Sequence, residues 1–288
     1  MATGAGGLGV IRATTDDRAA IEDFLTDHIA TAMFPLSNLR RYGMKGGHRH
    51  AVSFWLRWRA GRITDVLTVT DEGFLFPQCP TSPWGDIKTV LAGQAYRGIL
   101  GAADQVSALR DAFGWDSHAG IDAVEPLYQL ALDALKLPDC TGFDLIPLSD
   151  APRQTVVDWR AAYLAEVFPM PGENPAEIAA RDIASYIDAD SHRVLMRDGK
   201  HVAMTGFNAR LPQAVQIGGV YTPPELRGQG LARRAVGLHL QQAQRLGVTK
   251  SILFAASDTA ARAYEAIGFV KTGAFAMLIY EDPQVIHV

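Results

Sequence analysis

The 288-residue chain has only two cysteines, Cys79 and Cys140. Each lies beside proline-containing loop sequence and neither belongs to a metal-ligand spacing. A disulfide framework is excluded, and a reduced, cytoplasmic protein is the default expectation. Long hydrophobic runs are missing as well. Mean hydropathy is +0.03, yet no stretch approaches the roughly 20 apolar residues of a membrane span. Met1 to Gly9 has no basic flank and no apolar h-region, so no signal peptide is expected. Charge of one sign is scarce. The formal net charge is −4, without a basic tail or acidic arm, which argues against nucleic acid as a partner. No G-x-S-x-G elbow and no paired Cys–His signature occurs. Gly4-Ala5-Gly6-Gly7-Leu8-Gly9 spells G-x-G-x-x-G, but no strand precedes it, and it reads as a flexible leader. His48-Arg49-His50 has no acid or cysteine beside it and reads as a loop, with no metal expected.

What remains is a chain that is 48% hydrophobic and long enough for two domains. The clearest boundary is Leu137-Pro138-Asp139-Cys140-Thr141-Gly142. It separates a helix-like stretch, Pro126 to Lys136, from a strand-like one, Phe143 to Leu148. The expected domains are therefore 1–140 and 141–288. Both halves begin with a short strand (Gly9 to Ala13; Phe143 to Leu148), continue with helix, and pass into hairpins. Val52, Phe54, Leu56 and Trp58 alternate with polar neighbours, as a half-buried strand does, and are expected to form core. Ala60-Gly61 turns the chain into Ile63 to Thr70. Asp198-Gly199 between Arg193–Arg197 and His201–Phe207 predicts a type I′ hairpin. The shared order implies duplication of a fold, without a residue-by-residue repeat.

Residues 213 to 281 carry the chemistry. A strand, Ala214 to Val220, leads through Tyr221-Thr222-Pro223-Pro224-Glu225-Leu226 into Arg227-Gly228-Gln229-Gly230-Leu231-Ala232. A helix follows to Leu246, with Leu231, Ala235, Leu238, Ala243 and Leu246 on one broad face and Gly247 closing it. Glycines let backbone approach a ligand, and the first helical turn offers unpaired N–H groups and partial positive charge. Together they suit a pyrophosphate; an ordinary strand-to-helix turn is the other reading. A buried strand, Lys250 to Ala256, then precedes a short helix capped near Ser257 or Asp258 and stopped by Gly268. A last strand runs from Phe275 to Tyr280.

Arg227-x-x-Gly230-x-Ala232 and Ala260-x-x-x-Tyr264-x-x-x-Gly268-Phe269, in this order and at this spacing, resemble two motifs of the GNAT (general N-acetyltransferase) superfamily. Val220-Tyr221-Thr222-Pro223-Pro224 is similar to the wording of its tandem, glycine N-acyltransferase-like subgroup. The resemblance implies an α/β (α+β) fold of two GNAT-like domains in tandem. Each is expected to be a mixed, mostly antiparallel twisted sheet flanked by helices.

It also implies an acetyl-CoA co-substrate and no metal. Ile217, Gly218, Gly219 and Val220 would hold the thioester at a strand bulge, with the Val220 N–H as oxyanion donor. Gly228, Gln229, Gly230, Leu231 and Ala232 would give N–H groups to the pyrophosphate. Arg227 would order the loop or meet a phosphate, and Arg233 or Arg234 the 3′-phosphate. Tyr264 would protonate the leaving thiolate. Ser257 stands where the family often has asparagine; it would contact the pantetheine arm or cap the helix. The strand before the loop has no acid, since Gln216 cannot act as a base. Glu166, one turn from Tyr163 in Trp159-Arg160-x-x-Tyr163-x-x-Glu166, is the candidate general base, or it binds the substrate ammonium or faces water.

In the first half, Arg97 to Gly101 is one residue off the family spacing and no tyrosine motif follows. The first domain is therefore expected to be degenerate. The second is expected to be an N-acetyltransferase that moves an acetyl group onto the primary amine of a small or amino-acid-like molecule, with a protein N-terminus or lysine as the other acceptor. A non-catalytic acyl-CoA-binding or sensing module is the alternative.

Overall fold

The computed structural model describes residues 9–167 and 174–287, arranged as two compact units. The proposed leader, Gly4 to Leu8, lies outside the described residues. The first unit comprises Met1–Glu125 and Ala274–Val288; the second is Pro126–Gly273.

In the first unit, β1 (Ile11–Arg12) is followed by α1 (Arg18–Asp27) and α2 (Ile29–Tyr42). Three strands come next: β2 (Val52–Arg59), β3 (Arg62–Thr70) and β4 (Phe74–Gln78). Then α3 (Trp84–Leu91), β5 (Ala95–Ala102), α4 (Ala103–Phe113) and β6 (Ile121–Ala131) complete the repeat. The second repeat has the same order. β7 (Phe143–Pro147), α5 (Arg153–Val167) and α6 (Pro175–Asp188) lead into β8 (His192–Arg197), β9 (Lys200–Arg210) and β10 (Ala214–Tyr221). α7 (Leu231–Arg245), β11 (Lys250–Phe254), α8 (Asp258–Glu265) and β12 (Val270–Val285) follow. Duplication is thus complete at the level of elements.

Within the first unit the strand order is β1-β2-β3-β4-β5-β12, and within the second β7-β8-β9-β10-β11-β6. Each sheet is antiparallel except for one parallel pair, β4 with β5 and β10 with β11. The last strand of each repeat completes the sheet of the other unit. Leu127–Ala131 of β6 pairs with Phe254–Lys250, and Phe275–Ile279 of β12 pairs with Ala102–Gly98. This exchange corrects two expectations. The units do not divide at residue 140, and Pro126 to Lys136 is mostly strand followed by a single 3-10 turn at Leu132–Ala134. Backbone pairing to β11 overrides the local helix-like composition, as tertiary context commonly does.

The hairpins follow from turn chemistry. Asp198 and Gly199 have φ of 52° and 73°, and Ala60 and Gly61 have 47° and 74°, the left-handed pair that a type I′ turn requires. Val52, Phe54 and Leu56 are buried, whereas Trp58 is half-buried. In the second unit the sheet is covered on both faces. Val236 and Leu240 of α7 pack with Val215, Ile217, Leu253 and Tyr264, while Val156 of α5 and Ile183 of α6 pack with Val194, Met204 and Tyr221. Leu246 departs from the expected helix face and is 82% exposed, because α7 ends at Arg245 and Gly247, at φ 94°, turns the chain away.

Candidate active site

The site grows out of the parallel pair in the second unit. β10 and β11 pair only at Ala214–Gln216 against Lys250–Ile252. Beyond this ladder, Ile217 to Val220 and Leu253 to Phe254 line one cleft of about 740 Å³. The register of β10 against β9 slips between Gly218 and Tyr221, where Gly218 faces Gly206 and Tyr221 faces Met204. One extra residue on β10 makes this a β-bulge.

Both glycines of the bulge stand against a neighbouring side chain. Gly219 has φ 61°, and a Cβ there would stand 2.9 Å from His192 Nε2; a Cβ on Gly218 would overlap the Asn208 side chain. His192 was not singled out from the sequence. Its ring is fully buried, stacks on Tyr186 at 3.7 Å, and bonds through Nδ1 to Ser191 Oγ at 2.9 Å. Burial, with the Arg160 and Arg193 charges, lowers its pKa to about 3, so the ring is neutral at pH 7. Nε2 meets no hydrogen-bond partner. The sequence signal was two glycines on adjacent strands, Gly206 on β9 and Gly219 on β10, which stand against the ring.

From Tyr221 the chain runs through a 3-10 turn, Pro224–Leu226, to Gly228 and Gly230, with φ of 78° and 69°. Gly230 is the N-cap of α7. No hydrogen bond among the described residues uses the amides of Gly228, Gln229 or Gly230. Gly228, Gly230, Leu231, Ala232 and Arg233 line the cleft, so loop amides and the helix N-terminus face one cavity, which suits an anion. The Gln229 side chain instead accepts from Arg197 Nη1 at 2.9 Å.

The arginines divide their roles. Arg234 is committed to structure: it donates to the carbonyls of Asp139 (2.8 Å) and Gln229 (3.0 Å) and lies over the Phe143 ring. Of the two arginines in the first turn of α7, that leaves Arg233 in the cleft, its Nε buried without a hydrogen-bond partner. Arg262 of α8 also lines the cleft and was missed. A basic residue in the last turn of the short helix that opens at Ser257 was the available signal. Arg227 donates through Nε to Thr222 O at 3.0 Å, and through Nη2 to both Glu166 oxygens at 3.0 and 2.8 Å. Its guanidinium lies 5.8 Å from the Tyr221 ring centroid. Glu166 therefore reaches the cleft, but as one half of an ion pair. With its two side chains 47% and 43% exposed, such a pair contributes about 0.2–1 kcal/mol.

Opposite the bulge, Ser257 caps α8 by accepting from Ala260 N at 3.2 Å. Tyr264, 7% exposed, lines the same cleft and meets Phe269 edge-on at 6.0 Å. On β10, Gln216 is buried and donates to Ile217 O at 2.7 Å. Among the described residues, no group of three or more His, Cys, Asp or Glu side chains is placed to hold a metal ion. No described helix is long and apolar enough to cross a membrane.

A bulged strand, a glycine turn at a helix N-terminus and a tyrosine on the next helix thus share one cleft. Residues 154–269 match the family model described as Acetyltransferase (GNAT) family. This stretch is a GNAT acetyltransferase domain, and the protein is an acyltransferase. Solved structures with similar folds span nearly the whole chain. One is a Drosophila protein solved by a structural genomics consortium, with 10% identity, 95% of this chain and 99% of that one covered, and a TM-score of 0.61. Another is a tandem GNAT protein from the clavulanic acid biosynthesis pathway, with 15% identity, 94% and 97% covered, and a TM-score of 0.56. A third is a GCN5-related N-acetyltransferase from Sphaerobacter thermophilus, with 16% identity, 97% of both chains covered, and a TM-score of 0.55. At these identities the likeness shows the fold, two GNAT-like units in tandem. A search of curated proteins gives no match to this sequence.

Proposed function

We propose that the second unit transfers an acetyl group from acetyl-CoA to a primary amine by direct attack. The observation that carries this reading is the shared cleft of the β10 bulge, the Gly228–Gly230 turn and Tyr264. The pyrophosphate would lie on the amides of Gly228, Gln229, Gly230, Leu231 and Ala232, with Arg233 beside it. Ile217 and Gly218 would flank the thioester, whose carbonyl oxygen would take the Val220 N–H as charge develops. The amine lone pair forms the C–N bond, and the C–S bond breaks. Tyr264 gives its proton to the departing thiolate and is restored from solvent. Ser257, as the cap of α8, holds Tyr264 in place.

The acceptor nitrogen must be neutral to attack. Glu166 is a poor agent for removing its proton, because both its carboxylate oxygens already accept from Arg227 Nη2. In this reading the proton leaves to water. On the same reading the first unit binds no acyl-CoA and the protein works in the cytoplasm; its tandem layout and Tyr221-Thr222-Pro223-Pro224 support kinship with the glycine N-acyltransferase-like proteins.

One observation favours a second reading, an acyl-CoA sensor without turnover: β10 carries no acid, and its Gln216 amide is engaged with Ile217 O. Thiol release from acetyl-CoA across a broad amine panel separates the two. Tyr264→Phe should lower kcat by ~100-fold or more, the range of a single general acid, while CoA affinity by calorimetry stays within about twofold of wild type. An unchanged kcat removes Tyr264 from the mechanism. Tight CoA binding with no thiol release from any amine establishes the sensor.

A further inference from the structure

The Glu166–Arg227 pair has a geometry that neither the cofactor nor the acyl transfer requires. A carboxylate from α5 holds a guanidinium that also lies over the Tyr221 ring, and Glu166, Tyr221 and Arg227 all line the cleft. A carboxylate beside an aromatic face is what an organic cation binds to. Here the chain's own guanidinium occupies it. Yet Arg227 opens the turn whose amides face the cleft, so a polyphosphate seated there offers the same guanidinium a second and more highly charged partner. The pair is nearly half-exposed, and pairs of that kind are weak enough to be exchanged.

We propose that Glu166 and Tyr221 form a binding site for a cationic group of the acceptor, and that Arg227 fills this site until the phosphates of acyl-CoA draw it away. The inference rests on the acyltransferase reading and narrows it to a substrate class. A nitrogen held on a carboxylate is kept protonated, and a protonated nitrogen has no lone pair for attack. The cation on Glu166 is therefore not the nitrogen that is acetylated. The acceptor carries two basic groups, one bound at Glu166 and one presented to the thioester, as in a short diamine or a guanidino-alkylamine. Two consequences separate this from a passive surface pair. Glu166 competes with the cofactor for Arg227, and it selects dicationic over monocationic acceptors.

The test compares wild type, Glu166→Gln and Glu225→Gln. The last removes an equal charge from the neighbouring turn without touching the Arg227 pair. Calorimetry with CoA should show affinity roughly threefold higher in Glu166→Gln, as expected when a weak competing pair is lost, and unchanged in Glu225→Gln. Thiol release should be compared for a short alkyl diamine and the alkyl monoamine of equal length. Wild type should favour the diamine by ~10-fold in kcat/KM, the discrimination of a partly desolvated charge contact. Glu166→Gln should lose that preference, through a raised KM for the diamine. CoA affinity that is unchanged or weaker in Glu166→Gln overturns the proposal. So does a diamine preference that survives the substitution. If no amine releases thiol, the acyltransferase reading fails separately. Diamine binding to the CoA-loaded protein, wild type against Glu166→Gln, then decides the cation site by calorimetry.

Discussion

The two units present the same connection, from the third strand of the hairpin series to the next helix, in opposite chemical states. In the second unit it is the glycine turn between β10 and α7, whose amides at Gly228, Gln229 and Gly230 make no hydrogen bond among the described residues. In the first it is Cys79-Pro80-Thr81-Ser82-Pro83, between β4 and α3. Two of its five residues are prolines without an N–H. Each remaining amide has an internal acceptor: Cys79 N donates to Gln105 Oε1 at 2.6 Å, Thr81 N to Asp65 Oδ1 at 2.8 Å, and Ser82 N to Cys79 O at 2.9 Å. Asp65, 1% exposed, takes the Thr81 hydroxyl as well. A carboxylate of the chain thus holds the place in which an anionic ligand would be received. The strands differ in the same sense. β4 pairs with β3 in unbroken register from Leu75 to Gln78, whereas β10 is bulged. One fold, repeated, yields a receptive turn where donors are left open and a closed one where the chain satisfies them itself.

The sharpest way to break this contrast is to close the open turn. Gly230→Glu puts a side chain at φ 69°, within 2.8 Å of Arg233 Nε by its Cβ alone, and sets a negative charge against the pyrophosphate. CoA affinity should fall by at least ~100-fold, the combined effect of like charge and lost backbone approach. Circular dichroism establishes that the variant is folded. Near-normal CoA affinity in the folded variant would remove the phosphate role from this turn.

The reciprocal change opens the closed turn. Asp65→Asn leaves one acceptor oxygen but turns an N–H group toward the Thr81 donors. Unfolding should be easier by about 1.5–3 kcal/mol, the range for hydrogen bonds made to a charged group. CoA affinity should not move, since the proposed CoA site lies in the other unit. A drop in CoA affinity with Asp65→Asn would mean that the first unit contributes to binding.

Where the contrast was legible in sequence, it was legible through residues whose chemistry is local. Gly228, Gly230 and Gly268 have positive φ, Ser257 caps α8, and Asp198-Gly199 turns a hairpin, because backbone freedom and capping act within a few residues. The closed turn was sought in the wrong place. Arg97 to Gly101 lies inside β5; the true counterpart, Cys79 to Pro83, has no glycine to mark it. Asp65 and Gln105 reach that turn from 16 and 26 residues away, beyond any motif. The exchange of β6 and β12 was hidden for a like reason. Strand pairing is decided by partners distant in sequence, so Pro126 to Lys136 could not reveal that it belongs against β11. The Glu166–Arg227 pair, 61 residues apart, is of the same kind.

The smallest effect concerns what shapes the bulge. At the start of β8, His192 faces Gly206; at the start of β2, the corresponding Val52 faces Thr70. Only the second unit buries an imidazole behind its third strand in this way, and its neutrality there has a pH signature. The folded pKa of His192, about 3, lies below the ordinary value of 6.5. Between those values the unfolded chain binds a proton that the folded one refuses. Stability is then complete above pH 6.5 and declines as the pH falls toward 3, by about 1.4 kcal/mol per pH unit for one such group. His239, buried against Phe207 with its pKa also lowered by burial, acts in the same direction. His192→Phe keeps a ring on Tyr186 but removes one of these two protons. Denaturant unfolding between pH 6 and pH 4 should therefore show a slope lower by about 1.4 kcal/mol per pH unit than wild type, whatever the offset from repacking a larger ring. A slope equal to that of wild type would mean that the imidazole behind Gly219 already titrates normally in the folded protein, and that the bulge is not built around a neutral ring.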